Sequence, residues 1–181
     1  MKNILVLTGS PRKDGNTILL ANAFVEGART SGNEVTLFEA GKMKVNCCDS
    51  CLTCSKEGAN CTFDDDFTKL IPVLEKADMI VFCTPLYYFT FPSQLKSVID
   101  RLCFFAYEHR SLKIKESILI SCGCLDDMEI FAGIVKTYEL MAKYTGWQDK
   151  GILTIPKISE IGDIRNTDGL ERAKNLGLSI K

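Results

Sequence analysis

Apolar residues in this chain come in short unbroken runs, separated by longer stretches where they recur every three or four positions. Ile4-Leu-Val-Leu7, Met79-Ile-Val-Phe-Cys83 and Ser117-Ile-Leu-Ile120 are such runs, the pattern of strands buried on both faces of a parallel sheet. Glu34 to Ala40, entered through a Ser31-Gly32-Asn33 turn, and Gly151 to Ile155 read as two more strands. Between them the spacing becomes helical. Asn16 to about Thr30 carries Ile18, Leu19, Ala23, Phe24 and Gly27, and a segment opened by Asp64-Asp-Asp66 carries Phe67, Leu70, Ile71 and Leu74. Ser93 to Ala106, Met128 to Tyr144 and Thr167 to Gly177 are the remaining helices. The acidic residues at 64–66 suit a helix start, where they cap first-turn N–H groups and complement the dipole. This alternation predicts an α/β doubly wound domain, a parallel sheet with helices on both faces. No linker or repeat interrupts it, so one domain is expected over 1–181, with a cysteine-rich loop insertion at about 41–63.

Composition narrows the chemistry. The 181 residues are 46% hydrophobic and 25% charged, ordinary for a globular chain with one core. Lys plus Arg number 22 against 23 Asp plus Glu, so no basic face points to nucleic acid or an anionic membrane. The opening apolar run, Ile4 to Gly9, is too short for a signal-peptide core or a membrane span, and a cytoplasmic location is expected. Thiols stay reduced there, so the nine cysteines read as metal ligands or redox groups before disulfides.

In doubly wound sheets, ligands bind beyond the carboxyl ends of the strands. The first strand ends in Gly9-Ser-Pro-Arg-Lys-Asp-Gly-Asn-Thr17, a turn feeding directly into a helix. A helix N-terminus offers free N–H groups and a positive dipole end. Ser10 and Thr17 add hydroxyls, Arg12 adds countercharge, and Gly15 is expected to relax the backbone where an anion approaches. The turn is neither a P-loop, since Asn16 stands where the lysine belongs, nor a GxGxxG fingerprint. It reads as a phosphate site, or more plainly as a solvated turn with a good cap. The third strand ends in Thr84-Pro-Leu-Tyr-Tyr-Phe-Thr-Phe-Pro92, whose aromatics offer a wall for a flat ring system or packing for a core or subunit contact. The fourth ends in Ser121-Cys-Gly-Cys124, whose glycine permits close backbone approach.

Cys48, Cys51, Cys54 and Cys61 form a CxxCxxC unit followed by a later cysteine. Such spacing serves an iron-sulfur cluster or structural zinc, and free thiols are the third reading. Cys47 reads as spare or as a substitute for Cys48. Cys83 and Cys103 lie in apolar runs, where a thiol packs as a small hydrophobe. His109, the only histidine, reads as solvated, and with no second histidine a His-rich zinc enzyme is excluded. Asp126 and Asp127 read as helix-start residues rather than catalytic carboxylates.

Taken together, NILVLTGSPRKDGNT, the CxxCxxC unit with its later cysteine and acidic helix start, ADMIVFCTPLYYF, QLKSVIDR and a late TGW resemble the flavodoxin-like NAD(P)H-dependent FMN reductases, specifically their iron-sulfur flavoprotein branch. The resemblance runs from residue 3 to about 155. It implies a three-layer flavodoxin-like sandwich with sheet order 2-1-3-4-5, FMN as cofactor, NAD(P)H as co-substrate and a homodimer or homotetramer. It implies that Ser10, Arg12, Gly15, Asn16 and Thr17 hold the FMN phosphate. Pro85, Leu86, Tyr87 and Tyr88 would line the isoalloxazine, and Cys122 and Gly123 would close the site. Cys48, Cys51, Cys54 and Cys61 match the branch's ligands to a [4Fe-4S] cluster. No side chain is expected to be catalytic, the hydride chemistry belonging to N5 of the flavin. The expected activity passes electrons from NAD(P)H through FMN to a quinone, another small molecule or a protein acceptor. The alternatives are a flavodoxin-type electron carrier without NAD(P)H oxidation and a zinc-binding interaction module.

Overall fold

Alternate residues of the central strands face opposite ways, and both sets are buried, which is why these strands read as unbroken apolar runs. The computed structural model describes residues 1–106 and 111–181; His109 lies outside the described residues. Strands β1 (Asn3–Thr8), β2 (Glu34–Phe38), β3 (Met79–Pro85), β4 (Glu116–Cys122) and β5 (Gln148–Ile155) form one parallel sheet in the order β2-β1-β3-β4-β5. This is the expected flavodoxin-like α/β architecture.

Helices α1 (Asn16–Thr30) and α5 (Gly169–Leu178) cover one face. There Leu20, Phe24 and Ala173 meet Ile4, Val6, Val81 and Ile118. On the other face, α2 (Phe67–Lys76), α3 (Ser93–Arg101) and α4 (Ala132–Thr145) bring Leu70, Val98 and Ile134 onto Leu5, Leu7, Phe82 and Leu119. Helices α1 and α5 cross at glycine. A Cβ built on Gly27 would lie 2.0 Å from the Lys174 carbonyl oxygen, and one on Gly177 2.2 Å from the Phe24 oxygen.

Several boundaries differ from the sequence expectation. The α3 helix stops at Arg101 and tightens into a 3₁₀ turn over Leu102–Phe105. The α4 helix starts four residues later than expected, after a 3₁₀ turn over Met128–Phe131. The β5 strand begins at Gln148, because exposed Gln148 and Asp149 pair with Glu116 and Ser117 on an edge that the apolar pattern does not mark. Asp127 does act as a helix-start residue, its Oδ1 accepting the Glu129 N–H at 2.9 Å.

One polar network crosses the core beneath α4. The Tyr138 hydroxyl donates to Asp149 Oδ1 at 2.8 Å and lies 2.9 Å from Ser117 Oγ. Since the phenol has given its one proton to the carboxylate, Ser117 donates to the phenol oxygen. Burial pushes the Tyr138 phenol above its ordinary range. Tyr138→Phe leaves the Ser117 hydroxyl, which is fully buried, without an acceptor. It should cost about 1–2 kcal/mol, read as a lower denaturant midpoint at unchanged slope.

Candidate functional site

The loops leaving the carboxyl ends of β1, β3, β4 and β5 are stitched to one another just beyond the sheet. Gly9 N–H donates to the Cys83 carbonyl at 3.1 Å, Leu86 N–H to Cys122 at 2.8 Å, Gly123 N–H to Ile155 at 3.0 Å and Ile158 N–H to Gly123 at 2.9 Å. They enclose a groove of about 220 Å³. Ser10, Arg12, Gly15, Asn16, Thr17, Pro85, Leu86, Tyr87, Cys122 and Gly123 all line it, with Cys124, Ile158 and Ser159. So nearly the whole set singled out from sequence converges on one groove; Ser159 and its neighbour come from the loop after β5, which carries no motif.

At the groove's end, the first turn of α1 presents N–H groups that have no partner within the helix. Thr17 is buried, and its Oγ1 has no hydrogen-bond partner among the described residues. Ser10 Oγ accepts the Arg12 N–H at 3.2 Å, which folds the turn back on itself. Arg12 is exposed. Gly15 has φ −68°, so its lack of a side chain answers crowding rather than an unusual backbone. A Cβ there would come within 3.1 Å of Ser10 Oγ and 3.2 Å of the Arg12 Cβ. The Asn16 side chain is turned away to hold the loop after β5: its Nδ2 donates to the Glu160 carbonyl at 2.7 Å, and its Oδ1 accepts from Gly162 N–H at 2.9 Å. What Asn16 leaves for an anion is its backbone N–H.

The aromatic wall is only partly in the groove. Tyr87 lines it, but Tyr88 is 94% exposed and not among the lining residues. Tyr87 and Thr90 exchange both backbone hydrogen bonds, at 3.0 and 3.1 Å, around a two-residue turn in which Tyr88 (φ 45°) and Phe89 (φ 68°) both take left-handed backbone. Asn-Gly is the usual occupant of such a turn, and each bulky residue there costs about 1–2 kcal/mol. Cys122 is buried, which pushes its thiol up to about 12.

A second cavity, of about 200 Å³, shares no lining residue with the groove. Cys48, Cys51, Cys54 and Cys61 line it, and so does Cys103. Cys103 therefore differs from the sequence expectation: it sits on the 3₁₀ turn after α3 and is exposed rather than packed in the core. Though the residue is exposed, partial desolvation of its sulfur and the adjacent Cys48 thiol push Cys103 up to about 12. Burial, with Cys61, Cys48 and Cys51 around it, raises Cys54 as well. Cys51 is lowered by the Thr53 N–H and the Thr62 hydroxyl. Cys47 faces away, its Sγ 3.4 Å from Ser97 Oγ, while Cys83 is buried as expected and donates to the Thr17 carbonyl. The thiols ring the cavity without gathering on one point: among the described residues no three His, Cys, Asp or Glu side chains converge as on a single ion.

The loop is pinched at its base. Lys44 N–H donates to Asp66 Oδ2 at 2.9 Å, Asp66 N–H to the Lys44 carbonyl at 3.1 Å and Asn46 N–H to Asp65 Oδ2 at 2.8 Å. Of the acidic run, it is Asp65 that accepts from the first helical N–H, that of Phe67, at 3.1 Å. Burial works against the Asp65 charge, but the Asn46 N–H, Arg101 and the Phe67 N–H outweigh it and hold the carboxyl below its ordinary range. Arg101 was not singled out from sequence; it lines the same cavity.

Residues 2–128 match the model of the NADPH-dependent FMN reductase family. The chain belongs to that family. Within it, the sequence falls on the iron-sulfur flavoprotein branch. It is 31% identical to an iron-sulfur flavoprotein of Archaeoglobus fulgidus over 99% of this chain and 79% of the relative. It is 26% identical to the iron-sulfur flavoprotein MJ1083 of Methanocaldococcus jannaschii over 98% and 94%. The fold is shared with an NAD(P)H:quinone oxidoreductase from Methanothermobacter marburgensis (TM-score 0.80, 16% identity, 98% of this chain and 94% of that one). It is shared too with an FMN-dependent NADH-azoreductase from Bacillus anthracis in complex with FMN (TM-score 0.70, 14% identity, 98% of each chain). As a member of the FMN reductase family, the protein is an FMN-dependent oxidoreductase. No helix among the described residues is long and apolar enough to cross a membrane.

Proposed function

We propose that this protein moves electrons from NAD(P)H through FMN to an acceptor, by way of an iron-sulfur cluster in the cysteine cavity or directly to a quinone or similar small molecule. The observation that carries the flavin half is the buried, unpartnered Thr17 hydroxyl at the first turn of α1. A buried hydroxyl without a partner costs about 1–3 kcal/mol, and a phosphate oxygen at this helix start would remove that cost. On this reading Ser10, Arg12, Gly15, Asn16 and Thr17 hold the phosphate, Asn16 through its backbone. Pro85, Leu86 and Tyr87 flank the ring, and the Cys122-Gly123 turn closes the groove. FMN, when bound, supplies hydride acceptance and electron release singly or in pairs. The protein's part is to bind, orient and exclude water, with no acid or base required of a side chain. Tyr88 and Phe89, on their exposed turn, are placed to meet what arrives from outside: nicotinamide, acceptor or a second copy of the chain in a homo-oligomer.

For the cysteine cavity, the donor set fits a cluster. Soft thiolates suit zinc as well as iron-sulfur groups, but sulfurs spread around a volume rather than converging on one point favour a multi-iron group held by four thiolates. Cys48, Cys51, Cys54 and Cys61 would be the ligands, and such a cluster supplies one-electron relay.

Thr17→Val keeps the shape and removes the hydroxyl. No protein partner is lost, so the fold should be untouched while FMN affinity falls about tenfold, a change of about 1.4 kcal/mol, read by quenching of flavin fluorescence on titration. The full cycle is tested by supplying FMN and following NADH and NADPH oxidation with an artificial acceptor. Protein that binds FMN but oxidises neither nucleotide is a carrier rather than a reductase, and protein that does not bind FMN sinks the groove assignment.

A further inference from the structure

Arg101 ends the QLKSVIDR motif and has no part in the function proposed above. It is the largest fully buried side chain of the described residues, 2% exposed. Its Nη1 donates to both Asp65 carboxylate oxygens, at 2.8 and 2.6 Å, and its Nη2 donates to Cys61 Sγ at 3.2 Å. The guanidinium lies 4.3 Å from the Phe67 ring centre and 5.4 Å from that of Phe63. Its Nε–H is buried and has no hydrogen-bond partner among the described residues.

A buried ion pair is a poor source of stability, because desolvation of both charges offsets most of their attraction. A pair kept only to fasten α2 to α3 would be better replaced by packed hydrophobics. Asp65 neutralises the charge, yet it occupies only one of the guanidinium's nitrogens, and Arg carries five N–H donors in a fixed fork. The remaining donors meet sulfur or nothing. A neutral thiol accepts a hydrogen bond weakly, whereas an ionised acceptor makes a short, charge-assisted bond about twice as strong. The arrangement is that of a donor set waiting for negative charge on the Cys61 side of the cavity.

We propose that Arg101 is a positioning residue for the cysteine cavity: it orients Cys61 by donating to its sulfur and sets the reduction potential of an iron-sulfur group held there, with Asp65 setting how much of its charge that group feels. The proposal rests on the reading of Cys48, Cys51, Cys54 and Cys61 as cluster ligands. Hydrogen bonds to sulfur and local net charge are two of the levers by which a protein tunes such a potential, and reduction adds negative charge that a nearby guanidinium stabilises. The pair thus gives two opposed handles. Arg101→Gln removes the positive charge and should make reduction harder. Asp65→Asn keeps the guanidinium, removes its counterion and should make reduction easier.

Wild-type protein and the variants Arg101→Gln, Arg101→Lys and Asp65→Asn are each loaded anaerobically with ferrous iron, sulfide and FMN. Iron per chain reports the cluster, the flavin band reports the fold, and a dye-mediated redox titration followed by electron paramagnetic resonance reports the cluster potential. At the wild-type midpoint, the ratio of reduced to oxidised cluster should fall about tenfold in Arg101→Gln, equivalent to about 59 mV for a one-electron couple, and rise in Asp65→Asn. Arg101→Lys, which keeps the charge, should move least. Shifts of one sign in both charge variants, or no shift, overturn the proposal. So does loss of iron from all three variants with FMN retained, which would leave Arg101 a purely structural part. Wild-type protein that takes up no iron overturns the cluster reading itself, a failure distinct from the others.

Discussion

Cys54→Ser should strip the iron from the loaded protein while FMN binds with wild-type stoichiometry. Cys54 is half-buried, as is Cys61, and it is the thiol that feels Cys61, Cys48 and Cys51 together, so on the proposed ligand set its loss opens the most central position. A serine oxygen is a much harder donor than a thiolate and holds iron-sulfur groups poorly. The flavin should not notice, because the cavity and the groove share no lining residue. The check is iron analysis beside a flavin titration on one preparation. Cys103→Ser is the companion: if the four motif cysteines are the ligands, it keeps its iron. Iron retained by Cys54→Ser, or lost from Cys103→Ser alone, would sink the assigned ligand set.

Gly27→Val should be the most destabilising single change on the sheet's other face. A Cβ on Gly27 meets the Lys174 carbonyl oxygen at 2.0 Å and the Leu178 nitrogen at 2.9 Å, and these are backbone atoms of α5 that no rotamer change can move aside. Overpacking typically costs about 1–3 kcal/mol, and a backbone-to-backbone clash belongs at or above the top of that range. Since whole domains are stable by only about 5–15 kcal/mol, a cost near 3 kcal/mol should lower Tm by roughly 6–12 °C at this size. Gly32→Ala is the control: its φ of +84° is strained for alanine, but nothing lies within 4 Å of the added carbon. It should cost no more than about 1–2 kcal/mol. Equal losses from the two substitutions would show that α1 and α5 can separate freely.

The sheet was readable because its central strands are buried on both faces, so every residue from Ile4 to Leu7 and from Met79 to Cys83 had to be apolar. The edge was not: Gln148 and Asp149 complete β5 with exposed side chains. The groove was readable to the extent that its residues sit in turns directly after strands. Ser159 lay outside any such signal, since the loop it belongs to is held at the groove by the Asn16 side chain and by the Ile158 N–H bond to Gly123. Tyr88 stands 94% exposed and outside the groove lining, which spacing could not show because sequence carries no φ and the turn at Tyr88 and Phe89 is left-handed. Cys103 looked like core because it follows Leu102 and precedes two phenylalanines, but the change from α to 3₁₀ at Leu102 rotates it to the cysteine side. Asp65 stands in the acidic helix start and Arg101 ends QLKSVIDR, but 36 residues apart they give no sign of pairing.

The pinched base of the cysteine loop bears on what happens when the loop is emptied. Because Lys44 and Asn46 are tied to Asp65 and Asp66, the ends of the loop are held together by backbone and carboxylate bonds that involve no thiol. The entropy of closing residues 47–64 is met by the domain itself, and it grows only slowly with loop length. In small zinc domains the metal must supply the folding free energy; here, emptying the loop should leave a folded sheet. Oxidative loss of whatever the cysteines hold would then leave the sheet folded, and the same molecule could be refilled without being unfolded.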